Sequence, residues 1–178
     1  VDASIGKTRF SAPIQAIVSP SGRMTFETLE AARLTDPSLN RWLQGMALGL
    51  PSDPEVFGAT RVQTSVSGSV APDGVLTLRA SDTTASIGSQ SLTFDRMLVT
   101  AGEGFFAGAT MEGLSANVPS LRRVLATFDA VPTGLAEGVL GPMSVSGDLR
   151  FSDSDVAVSQ ALVSLDNQTA RGDASIYF

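Results

Sequence analysis

The chain has 178 residues, 43% of them hydrophobic, and 12 Lys and Arg against 18 Asp and Glu give a net charge of −6. That is material for one domain or about two repeats with a core, and the acidic balance argues against nucleic acid, whose phosphates need clustered cations. With neither Cys nor His, disulfides and thiolate metal sites are excluded, and the commonest general base and metal ligand are missing.

Residues 10–19 and 24–35 read as two strands joined at Pro20-Ser21-Gly22. Asp36-Pro37 then opens a short helix, with an N-cap and a proline at the first helical position. Leu39, Trp42, Leu43 and Met46 fall at i, i+3, i+4 and i+7 and anchor it. In the following run, Val62, Thr64, Val66, Gly68 and Val70 alternate with Gln63, Ser65, Ser67 and Ser69. Pro72-Asp73-Gly74 turns the chain into a strand over 75–80. Residues 83–116 read as three more strands, with blurred alternation at 96–100 and at Phe105-Phe106 that indicates a bulge or burial on both faces. A second helix is anchored by Leu121, Val124, Leu125 and Phe128, and carries Val118 where the first has the capping Asp36. In 144–151, Val145, Gly147, Leu149 and Phe151 alternate with Ser144, Ser146, Asp148 and Arg150. Turns at 152–155 and at Asp166-Asn167-Gln168 lead to a last alternating run over 169–178, including Ile176 and Phe178. Period two with one polar side predicts antiparallel sheet, one face wet and one dry.

One pattern occurs twice. Pro37-Ser38-Leu39-Asn40-Arg41-Trp42-Leu43 returns as Pro119-Ser120-Leu121-Arg122-Arg123-Val124-Leu125, and Ser65-Val66-Ser67-Gly68 returns as Ser144-Val145-Ser146-Gly147. A repeated helix followed by alternating strands predicts an array. Its units are 1–36, the hairpin ending a preceding repeat; 37–118, one full repeat; and 119–178, a truncated following repeat. The expected fold is mainly β: a curved, groove-like antiparallel meander of roughly nine to eleven strands, with two short amphipathic helices. The alternative is a sheet closed on itself as a sandwich or barrel.

No catalytic constellation emerges. A Ser-Lys pair would have to use Lys7, the only Lys. Glu27 and Glu30 read as polar positions near a strand end, and Asp153 with Asp155 reads as a solvated turn, because an oxygen-ligand cation site needs about six ligands. Asn167-Gln168-Thr169 is a bare sequon match. Gly102-Glu103-Gly104 lacks the helix that follows a phosphate loop. Arg122-Arg123 reads as the wet face of a helix. Catalytic residues, metal ligands and cofactors are therefore not expected. No apolar run approaches the ~18 residues of a membrane-crossing helix. The chain reads as a segment of a longer protein, with any membrane anchor outside it.

At the strand–turn–strand unit 145–158, the chain resembles the AsmA-like family of bacterial envelope proteins, with TamB-like relatives in the same style. The short helix around Leu121-Arg122-Arg123-Val124-Leu125, the strands over 145–151 and 166–178, and the hairpin of Ser21-Gly22-Arg23-Met24-Thr25-Phe26 fit the family pattern. The resemblance implies an inner-membrane-anchored protein with a periplasmic body whose curved sheet carries phospholipid between membranes. It implies an acyl-chain lipid as partner, along with other envelope proteins. The expected lipid-lining residues are Val66, Val70, Leu76, Leu78, Val145, Leu149, Phe151, Ile176 and Phe178. The competing expectation is a structural spacer or protein-interaction module of the envelope.

Overall fold

The computed structural model describes residues 1–5, 7–37, 56–102 and 105–177. Alternating apolar and polar residues build one antiparallel sheet of twelve strands. These are β1 (Asp2–Ile5), β2 (Thr8–Ser11), β3 (Ile14–Val18), β4 (Met24–Thr28), β5 (Ala32–Asp36), β6 (Thr60–Val70), β7 (Leu76–Ile87), β8 (Gln90–Gly102), β9 (Phe105–Val118), β10 (Met143–Phe151), β11 (Asp155–Leu165) and β12 (Gln168–Tyr177). From β6 to β12 each strand pairs with the next along the chain, and before β6 the pairs are β1 with β2, β2 with β5, β3 with β4, and β4 and β5 with β6, so the sheet is a meander of lanes.

The twelve strands run as ten lanes, because β2 with β3 and β4 with β5 are each one lane broken once. β6 shows this directly: its first half pairs with β5 and its second half with β4. The break at Pro13 has a simple cause, since proline has no N–H to give the ladder. The ends are tied across the gap. The Leu29 N–H donates to the Pro13 carbonyl at 2.8 Å, and the Val66 N–H donates to the Thr28 hydroxyl at 3.0 Å.

These breaks belong to a line of irregularity that crosses the sheet. β7 carries Asp82 at φ 50, β9 carries Gly113 at φ 65 and β11 carries Gln160 at φ 52. Register shifts fall beside them, at 63/65 of β6, at 146/148 and 147/149 of β10 and at 158/161 of β11. An extra residue in a strand bends it and increases its twist. A row of such residues therefore acts as a fold line, and the sheet curls about it while its ends stay open. Two of the bulged N–H groups are held by the next lane. Gly113 donates to Asp148 Oδ1 at 2.8 Å, and Gln160 donates to Asp173 Oδ1 at 2.7 Å.

The start of β6 and the connection 119–142 lie at the same end of the sheet, because β6 and β10 run in the same direction. The tight turns after β3, β6 and β10 lie at the other end, with Gly22 at φ 82 and Gly74 at φ 85 in the first two. The connection 119–142 holds the one helix among the described residues, α1 (Leu121–Thr127). The other expected helix, with Leu39, Trp42, Leu43 and Met46, lies outside the described residues. The cap expected at 118 is instead Ser120, whose hydroxyl accepts from the Arg123 N–H at 3.2 Å. The Leu121 and Arg122 N–H groups are satisfied by the carbonyls of Gly141 and Leu140, so the helix start is better satisfied than its sequence indicates.

α1 makes no extensive contact with any strand. Leu121, Val124 and Leu125 are half-buried, whereas Phe128 is 44% exposed and meets Phe57 edge-on at 5.7 Å. The Phe128 ring thus packs against a ring from before β6.

Two strand boundaries also differ from expectation. β7 does not end at 80 but continues to Ile87, and 83–116 holds the end of β7 plus two long strands. The left-handed residue Asp82 reverses the alternation in mid-strand, which in the sequence looks like a strand end.

Candidate functional site

Cross-strand partners share a face of the sheet, so the registers sort each side chain. One row on one face reads Phe26, Gly68, Leu78, Val99, Ala109, Phe151, Val156 and Ile176 from lane to lane. The next reads Val66, Ala80, Met97, Met111, Leu149, Val158 and Ala174. Beyond the fold line a third row crosses all ten lanes: Ala3, Phe10, Leu34, Val62, Ala85, Leu92, Ala116, Val145, Val163 and Ala170. Each row is apolar throughout. Among the described strand residues Asp36 is the only charged side chain on this face, whereas Arg9, Arg33, Arg61, Arg79, Arg96, Glu112, Arg150 and Arg171 are on the other.

Burial shows that the apolar face is the concave one. Thr8, Ala12, Ala32, Asp36, Thr60, Ala80, Thr83, Phe94 and Leu114 are all buried, and all lie on it, several beside the fold line. Away from that line the face stays accessible. Val66, Val70, Leu76, Leu78, Val145, Leu149 and Phe151 are half-buried, and Ile176 is 65% exposed. All eight lie on the same face. Phe178, the ninth expected lining residue, lies outside the described residues. The chain as a whole exposes 11344 Å², whereas a compact monomer of 18.4 kDa exposes about 8,200 Å². The excess is what a single curled layer gives.

Polar groups on the concave face are satisfied locally. The buried Asp36 carboxylate accepts from the Thr8 hydroxyl, and the hydroxyls of Thr64 and Thr83 are 2.7 Å apart. At the turn after β10, the Ser152 hydroxyl and then the Arg150 guanidinium hold the Asp155 carboxyl below the usual carboxylate range. Asp155 is thus a turn-building residue on the opposite, convex face. Among the described residues no group of three acidic, His or Cys side chains is placed to hold a metal ion, and no helix is long and apolar enough to cross a membrane. The arrangement offers extended apolar contact and few directional groups.

Several lining residues escaped the sequence reading, among them Leu34, Leu92, Met97, Val99, Met111, Val158 and Val163. For those on β8, β9 and β11 the signal is a three-residue step between successive inward positions, 94 to 97, 111 to 114 and 158 to 161, as at 80 to 83 of β7. No family model, curated protein or solved structure matches the chain.

Proposed function

We propose that the concave face binds phospholipid or another acyl-chain lipid and offers its chains an apolar path across the strands. The observation that carries this reading is the charge asymmetry of the two faces. Three apolar rows run uninterrupted from lane to lane, and among the described strand residues only the buried Asp36 is charged on that side. An apolar face of this extent in water is unfavourable at about 25 cal/mol per Å², and an acyl chain covers it without needing directional partners. A groove of this kind fits the resemblance to AsmA-like proteins, and with it the reading of the chain as a periplasmic segment of an inner-membrane-anchored envelope protein that supports outer-membrane lipid homeostasis.

A second reading, an interaction module or spacer, is favoured by β12. This ten-residue edge strand is exposed along its whole length, and an unpaired edge is a template for another strand.

Native mass spectrometry with lipid extraction tests the proposal. The purified protein is expected to carry phospholipid. Leu149→Asp, on the concave face, is expected to stay folded and lose it, because a half-buried charge at an open face stays solvated. Ser67→Asp, on the convex face, is expected to keep it. A wild-type protein free of lipid, or a Leu149→Asp variant that unfolds because the face is a closed core, would sink the reading.

A further inference from the structure

The convex face carries a second candidate site, independent of the lipid reading. In register across three lanes, Arg9 pairs with Thr35 and Thr35 pairs with Arg61. Arg33 precedes Thr35 by two residues on the same strand and so shares its face, and Lys7 stands two residues before Arg9. Strands about 4.8 Å apart put the two outer Arg residues on either side of the Thr35 hydroxyl, within reach of a common point above it. The surface between them is recessed. A depression of about 340 Å³ has Arg33, Thr35 and Arg61 in its lining, and an adjoining one of about 520 Å³ has Lys7, Arg9, Thr35, Arg61 and the acidic Asp36.

The charge balance makes this cluster unusual. Four of the chain's 12 cationic side chains gather here although acidic residues outnumber them overall, 18 to 12. Elsewhere on the convex face Arg96 is paired with Glu112 at 3.3 Å and Arg150 with Asp155 at 2.9 Å. Lys7, Arg9, Arg33 and Arg61 have no such partner among the described residues. The nearest acidic residue in register is Asp2, on the far side of Ser11 from Arg33. Among the described residues the other carboxylate at this end of the sheet is Asp36, which borders the second depression but is buried and already accepts from the Thr8 hydroxyl. Exposed cations left unpaired around a recess attract an anion. Guanidinium forks with a hydroxyl between them match a tetrahedral oxyanion, because each fork donates two parallel N–H groups and the hydroxyl donates a further hydrogen bond.

We propose that Arg9, Arg33, Arg61 and Lys7, centred on Thr35, form a binding site for a phosphate group. The phosphate belongs either to a soluble compound or to a lipid head group at a bilayer surface. The site lies on the opposite face from the apolar rows, so it does not hold the head group of a lipid whose chains lie along them.

The test compares two charge-matched variants of the full chain. Arg9→Gln/Arg33→Gln/Arg61→Gln removes the cluster, and Arg23→Gln/Arg79→Gln/Arg171→Gln removes three cations elsewhere. Arg Nε–H resonances are followed during titration with inorganic phosphate, and co-sedimentation is measured with phosphatidylglycerol vesicles against phosphatidylcholine vesicles. The cluster variant is expected to lose about tenfold or more in affinity and the control variant less than about twofold. Arg61→Lys, which keeps the charge and loses the fork, is expected to bind several times more weakly. Saturable phosphate binding with this pattern assigns a soluble source, and binding to phosphatidylglycerol vesicles alone with the same pattern assigns the head group. Binding of neither probe, equal weakening of the two triple variants, or unchanged binding by Arg61→Lys would overturn the proposal.

Discussion

β6 and β10 carry the same Val-Ser-Gly triplet, yet their glycines face different constraints. Both Gly68 and Gly147 lie on the concave face. A Cβ at Gly68 would lie 2.5 Å from Phe26 Cζ and 2.7 Å from the Thr77 carbonyl oxygen, so this glycine makes room for an aromatic ring from the neighbouring lane. A Cβ at Gly147 would lie 2.9 Å from the Ser159 carbonyl oxygen and 3.2 Å from Ala161 Cα, and the residue has φ +152, a conformation that L side chains rarely adopt. There the glycine is needed by the backbone itself, beside the bulge of β11. A shared triplet thus marks a shared need for a missing side chain, while the reason comes from the neighbouring lanes.

The sharpest way to break this comparison is to fill both sites. Gly147→Val is expected to lower stability by about 2–4 kcal/mol, combining backbone strain with a clash against main chain, as read from a urea midpoint. Gly68→Ala is expected to cost less, about 1–3 kcal/mol. In a Phe26→Ala background its penalty is expected to shrink by about 1 kcal/mol, because the ring is gone while the Thr77 carbonyl remains. Gly147→Ala is expected to show no such coupling to Phe26. Equal coupling at both glycines would mean that they answer to one constraint after all.

A smaller effect separates the two strands at the fold line. Asp148→Ala on β10 removes the acceptor of the Gly113 N–H and is expected to cost about 1 kcal/mol, with faster hydrogen exchange at Gly113. Ser65→Ala, at the equivalent row of β6, is expected to stay within about 0.5 kcal/mol of wild type.

The smallest effect is one of pH, at the turn that follows β10. Asp155 has a carboxyl pKa lowered by Ser152 and Arg150 from its ordinary 3.8. Its contribution is therefore fully present above that value and is lost as pH falls through the lowered one. The urea midpoint of Asp155→Asn is expected to lie below that of the wild type at neutral pH, with the gap closing in acid. A constant gap across that range would show that the carboxylate plays no part in acid sensitivity.

Much of the fold was readable because its rules are local. The turns at Gly22 and Gly74 follow from residues that tolerate positive φ, and alternation at 62–70 and 145–151 identified one dry face. Of the nine expected lining residues, the eight described do share that face. The extent of β7 was misread for an equally local reason: Asp82 shifts the phase by one residue, and alternation cannot tell a bulge from a strand end. How well the start of the helix is satisfied was not readable, because the Leu121 and Arg122 N–H groups depend on partners distant in sequence, Gly141 and Leu140.

The sequence by itself determined that the chain forms antiparallel strands with one apolar side, since side-chain alternation and turn chemistry act within a few residues. It also determined that His- and Cys-based chemistry is absent. Tertiary structure decided where the curl falls, because a fold line exists only when Asp82, Gly113 and Gln160 come into one row through registers set lane by lane. It likewise decided that Arg9, Arg33 and Arg61 surround Thr35. Those residues lie far apart along the chain, and only cross-strand pairing brings their charges together.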